Sequence, residues 1–129
     1  MKFRENEAIY LQIADHVSDL ILSKELESEE TIPSVRELAI NLEVNPNTVM
    51  RTYAYLEERK IIYNQRGIGY FVTNNAYDTI IKLKMGRFID NELPHVFHKM
   101  ELLQVSLNDL KELYQKFRTK KKGNTHEVK

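Results

Sequence analysis

Seven residues of this 129-residue chain form a pattern with a definite chemistry: Arg36, Asn47, Thr48, Met50, Arg51, Arg66 and Gly67. Arginine presents a planar fork of N–H donors, and asparagine a donor beside an acceptor. Those groups match the edges of duplex DNA in its major groove, where guanine offers acceptors and adenine a donor–acceptor pair. Arg51 suits guanine or phosphate, and Asn47 suits adenine or phosphate. Thr48 is short and stands at a helix start, which favours phosphate. Arg66, beside Gly67 and Gly69, suits an adjoining minor groove or its phosphates. Taken singly, each arginine is an ordinary solvated charge. The conjunction of Arg36, Arg51 and Arg66 on three neighbouring elements carries the weight.

Those elements are legible from caps and periodicity. A first helix is expected from about Ala8 to Ser23, with Ile9, Ile13, Val17, Leu20 and Ile21 at helical spacing. Residues 24–31 (KELESEET) are a polar, acidic break without glycine. A second helix starts at Ser34, whose spacing to Glu37 fits a capping box. Val35, Leu38, Ala39 and Leu42 form its apolar face, and residues 41–45 the turn. A third helix starts at Asn45 and Pro46, a cap followed by a first-turn proline. Val49, Tyr53 and Leu56 then point to the core. Asn47, Arg51, Ala54 and Glu58 take the opposite face, with Thr48 and Met50 on its flanks. Ile61–Tyr63 and Tyr70–Val72 are strand-like, with Gly67 and Gly69 near the tip between them. Helix, helix, hairpin in that order is a winged helix-turn-helix. The expected fold is mainly α with one small β-hairpin.

Residues 76–129 turn helical again. Tyr77, Ile80, Ile81 and Phe88 begin a stripe that Leu93, Val96, Phe97, Met100 and Leu103 continue. A bend is expected near residues 91–94, because Pro94 lacks the amide a helical ladder needs. Ser106 to Asp109 is another cap, followed by Leu107, Leu110, Leu113, Tyr114 and Phe117. Residues 119–129 are expected to fray as a basic tail. The chain therefore divides into a winged helix-turn-helix at 1–75 and a helical dimerisation region at 76–129.

Composition bounds the rest. Lysine and arginine equal aspartate and glutamate at 19 each, so net charge by itself argues for no nucleic acid. The charges are unevenly spread, from net −5 over residues 1–30 to +1 over 31–75 and +4 over 76–129. A binding face must be a local patch with the acids turned elsewhere. There is no cysteine, which excludes disulfides and thiolate metal sites and fits a cytoplasmic setting. The polar N-terminus does not read as a signal peptide. No apolar run approaches the ~20 residues of a membrane span. His95 and His98 lie three apart on a helix but read as surface histidines. No nucleophile–base pair, phosphate loop or carboxylate dyad appears, so neither an enzyme nor a cofactor or metal is expected.

Four stretches resemble the N-terminal domain of GntR-family transcription regulators. They are Ile9–Ile13, Ile32–Ala39, Val44–Val49 and Arg66–Val72, in the family's order over about residues 8–73. The Asn45-Pro46-Asn47-Thr48-Val49 run and the short C-terminal region resemble the YtrA subfamily in particular. The resemblance implies a dimeric, sequence-specific DNA-binding regulator, usually a repressor and often of a transporter operon. It implies that Arg36, Asn47, Thr48, Arg51 and Gly67 lie at or near DNA. Three departures stand out. Relatives often carry glycine around residues 24–31 and at position 60, where this chain has Lys24-Glu25, Glu29-Glu30 and Lys60. Many carry arginine where Met50 stands, which leaves Met50 as an apolar contact for a thymine methyl.

About 54 residues follow the winged segment, too few for a large effector-binding domain. Two or three amphipathic helices have little interior of their own, so their stripes are expected to form a homodimer interface. Packing against the first domain is the competing account of those stripes. The competing function is a winged-helix protein-interaction module without sequence-specific DNA binding. An effector is not legible in the sequence.

Overall fold

The computed structural model describes residues 1–128, with side chains through Lys122. It is mainly helical with one two-stranded antiparallel sheet, as expected. Two compact units are present, Met1–Lys84 and Met85–Lys129.

The first unit contains α1 (Ile9–Leu22), α2 (Val35–Leu42), α3 (Pro46–Glu58), β1 (Ile62–Gln65), β2 (Gly69–Val72) and most of α4 (Ala76–Arg87). Its core joins Ile13, Val17 and Ile21 of α1 to Leu38 and Ala39 of α2 and Val49, Tyr53 and Leu56 of α3. Ile61, Ile62, Val72, Ala76 and Ile80 close it from below. Each large apolar side chain so buried contributes about 1.5–3 kcal/mol against exposure. Ile9, counted in the stripe of α1, is instead exposed, because the helix has only begun there. The stripe expected of α4 is likewise carried by Ala76 and Ile80, while Tyr77 stays exposed.

Both helices of the helix-turn-helix begin at side-chain caps. Ser34 accepts from the Glu37 amide and Glu37 from the Ser34 amide, both at 3.1 Å, completing the capping box. The bond from the Ser34 amide, reinforced by the Ser34 side chain, holds the Glu37 carboxyl below the usual carboxylate range. Asn45 accepts from the Asn47 amide at 2.8 Å, ahead of Pro46. Only Glu43 and Val44 separate the end of α2 from that cap.

The hairpin pairs Ile62 with Val72 through Gln65 with Gly69. Residues 29–32, read from sequence as part of a polar break and the approach to α2, add to the far edge of β2. The Ile32 amide donates to the Tyr70 carbonyl at 3.0 Å and the Val72 amide to that of Glu30 at 3.0 Å. Tyr63 on β1 donates to Glu29 at 2.8 Å, which raises the Tyr63 phenol above its ordinary range.

Among the described residues, four helices end on a non-glycine residue in the left-handed region: Lys24, Glu43, Lys60 and Gln104. At each, paired backbone bonds close the end. After α3 the Lys60 amide donates to the Glu57 carbonyl and the Ile61 amide to that of Leu56, both at 3.0 Å. This is the Schellman arrangement, in which glycine is the usual occupant. Lys24, Glu29 and Lys60, where the family resemblance would place glycine, all have positive φ.

The second unit holds a π-helical segment (Phe88–Glu92), α5 (Leu93–Leu103) and α6 (Leu107–Val128). The irregularity expected near Pro94 is this π turn. Arg87, Glu92 and Leu93 all keep right-handed helical backbone, so the helix runs on without a true start at α5. The ladder widens to a π turn just ahead of Pro94, which has no amide to supply. Ser106 and Asp109 cap α6 reciprocally at 3.0 Å, and the Ser106 amide lowers the Asp109 carboxyl's pKa. α6 runs past Thr119, where fraying is expected, and Lys129 lies outside the described residues. The stripes of α5 and α6 are uncovered: Leu107 is 74% exposed, Leu113 56% and Phe117 59%.

Candidate nucleic-acid interface

α3 owes its placement to what its buried face holds. Val49, Thr52, Tyr53 and Leu56 are buried. Tyr53 packs edge-on to Tyr70, with ring centroids 4.8 Å apart, and donates its hydroxyl to the Pro33 carbonyl at 2.7 Å. That bond ties α3 to the entry of α2. Burial pushes the Tyr53 phenol well above the usual tyrosine range, so it stays a donor. Thr52 donates to the Tyr10 carbonyl at 2.9 Å and to the Thr48 carbonyl at 3.0 Å, tying α3 to α1. Thr52 is missing from the core face read from sequence. Its position beside Tyr53 fits that face, but its partner is 42 residues away and has no local signature.

With that face anchored, Asn47, Met50 and Arg51 are exposed along the first half of α3, and Met50 is 53% exposed. Thr48 is half-buried, its amide bonded to the Asn45 carbonyl at 2.9 Å. Arg36 is exposed in the first turn of α2. Arg66 and Gly67 form the hairpin tip, closed by the Ile68 amide bonding the Gln65 carbonyl at 2.8 Å. Gly67 has φ +80°, with open space where a Cβ would stand, so conformation rather than crowding selects glycine there. Ile68, at the same tip, is 67% exposed and went unmarked in the sequence.

The arrangement groups Asn47, Thr48, Met50 and Arg51 on the first half of one helix. It leaves Arg36 and Arg66 on separate elements, and no hydrogen bond or ion pair joins the three arginines among the described residues. Nor does a carboxylate pair with any of them among those residues. Arg51 does not stand clear, as its place opposite the core suggests. Its guanidinium lies 4.0 Å over the ring of Tyr10 on α1. The acids of α1 point away from that contact: Asp19 lies about 180° round the helix from Tyr10, and Lys84 reaches it at 3.4 Å and Asp15 at 4.0 Å. Among the described residues no cluster of His, Cys, Asp or Glu could hold a metal, and no helix is long and apolar enough to cross a membrane.

Known proteins share the fold that carries these residues. Residues 9–72 match the family model for bacterial regulatory proteins of the gntR family. The chain is similar to the HTH-type transcriptional repressor YtrA of Bacillus subtilis (strain 168), at 33% identity over 120 residues. That alignment covers 93% of this chain and 92% of YtrA. It is similar to the uncharacterized HTH-type transcriptional regulator YhcF of the same organism, at 44% identity over 75 residues. Here the coverage is 58% of this chain and only 62% of YhcF. A GntR-family regulator from Bacteroides thetaiotaomicron, solved by crystallography, shares the architecture with a TM-score of 0.80 and 42% identity. The match covers 88% of this chain and 99% of that one. The chain belongs to the GntR family of bacterial regulatory proteins.

Proposed function

We propose that this protein is a dimeric transcription repressor that binds an inverted-repeat DNA operator. One observation carries the reading: α3 is capped and anchored on one face while Asn47, Met50 and Arg51 stay exposed, with no carboxylate on Arg51 among the described residues. In this reading the first half of α3 enters the major groove and meets base edges. Thr48 and Arg36 meet phosphate, and Arg66 with Gly67 brings the wing tip to the flanking groove. Repression is proposed from the similarity to the repressor YtrA. Control of a transporter operon and a cytoplasmic location belong to the same proposal.

Dimerisation through residues 76–129 is the second part of it. Apolar side chains of the π-helical segment, α5 and α6 line a groove of about 880 Å³, among them Phe88, Leu93, Val96, Leu110 and Leu113. A second copy covering these stripes would also place two recognition helices on two half-sites.

Selection of bound fragments from genomic DNA at low salt tests the reading. A palindromic site should be enriched, and affinity should fall with salt at a log–log slope of roughly −0.9 per phosphate neutralised. Enrichment of no sequence would favour the protein-interaction module instead.

A further inference from the structure

We infer that Tyr10 is a positioning residue, holding the Arg51 guanidinium in the orientation in which it meets DNA; this rests on the DNA-binding reading above. An exposed arginine on a helix ordinarily samples many rotamers, and binding must select one of them. Here the central carbon of the guanidinium sits over the Tyr10 ring, 4.0 Å from its centroid. A guanidinium held over a ring by cation–π attraction spends no hydrogen bond on that contact, which leaves its N–H donors for a carbonyl, a ring nitrogen or a phosphate.

The ring is itself held. Tyr10 meets Tyr55 edge-on at 6.1 Å and 74°. The Arg59 guanidinium covers the Tyr55 ring at 3.6 Å. Arg51, Tyr10, Tyr55 and Arg59 thus form a continuous ladder of cations and rings. The backbone under Tyr10 is fixed from the other side, because the fully buried Thr52, next to Arg51, donates to the Tyr10 carbonyl at 2.9 Å. The same helix pair therefore sets both the backbone and the ring against which Arg51 lies. Neither Tyr10 nor Tyr55 needs to touch DNA for this to act.

The test is a double-mutant cycle on the genomic fragment selected by the parent protein, with Tyr10→Leu, Arg51→Ala and the double variant, each verified as folded by urea unfolding. An exposed cation–π contact predicts that Tyr10→Leu weakens binding about two- to fivefold. It should cost nothing further once Arg51 is alanine, and Tyr10→Phe should bind as the parent does. An equal loss from Tyr10→Leu with and without Arg51 would overturn the inference, because Tyr10 would then act through the fold or its own contact. A readout without DNA accompanies it. The Arg51 Nε–H resonance should be shifted by the ring current in the parent and in Tyr10→Phe, and released in Tyr10→Leu. Absence of that shift overturns the inference. If the parent binds its fragment and Arg51→Ala binds it equally well, the inference fails and the DNA-binding reading stands. If the parent selects no DNA, both fail.

Discussion

Lys60→Gly should stabilise this protein, although it removes a side chain and adds no contact. Lys60 has φ +63° at the end of α3, where a Cβ crowds the following carbonyl. Holding a non-glycine residue there costs about 1–2 kcal/mol. Glycine removes that cost but gives back about 0.5–1 kcal/mol through the greater freedom of its unfolded chain. The net gain lies between about 0 and 1.5 kcal/mol and centres near about 0.75 kcal/mol, or about 3 °C in melting temperature for a chain of this size. The contacts that close the helix are backbone bonds, from Lys60 to Glu57 and from Ile61 to Leu56, and the Lys60 carbonyl accepts from the Thr73 hydroxyl at 2.8 Å. Glycine preserves all of them. Buried Ile61 follows directly and pins the conformation. Urea unfolding at fixed protein concentration is the assay, with Lys60→Ala as control. Alanine removes the same charge but keeps the Cβ, so it should bring no gain. If Lys60→Gly is no more stable than Lys60→Ala, the account of strain at this helix end is wrong. Glu43→Gly should behave alike, since it closes a Schellman end with positive φ, whereas Lys24→Gly should gain less because the Lys24 ammonium lies 4.6 Å over the Tyr77 ring and that contact is lost.

Ser34→Ala removes the cap of α2 and should cost about 1 kcal/mol, read from urea unfolding. The Glu37 half of that box is pH-dependent. Its folded-state pKa is depressed, so its contribution is present above the ordinary carboxylate range and lost as pH falls through the folded value. The melting-temperature gap between the parent and Glu37→Ala should therefore narrow in acid, and a gap that stays constant would contradict this role. Tyr53→Phe keeps the ring packing but strands the buried-side acceptor at Pro33, and should cost about 1–2 kcal/mol in the same unfolding assay. Leu113→Glu places a charge on the uncovered stripe of α6, and should weaken self-association at least about tenfold, or about 1.4 kcal/mol, by sedimentation equilibrium.

The sequence by itself determined where α2, α3 and α6 begin, because a cap and the amide that donates to it lie within three residues of each other. It also determined which face of α3 turns inward, since the spacing of Val49, Tyr53 and Leu56 marks one side of any helix. The glycines of the wing tip were legible for the same local reason. What periodicity does not carry is the identity of the partner. Only the tertiary structure decided that residues 29–32 extend the sheet along β2, that Thr52 reaches the Tyr10 carbonyl, and that Arg51 lies on the Tyr10 ring. Each of these joins segments tens of residues apart, and nothing near either end encodes the match. The stripes of α1 and α6 look alike in the sequence, yet Ile13, Val17 and Ile21 are buried while Leu107, Leu113 and Phe117 are open. An apolar stripe specifies that something should cover it, and only packing in three dimensions decides whether the chain itself does.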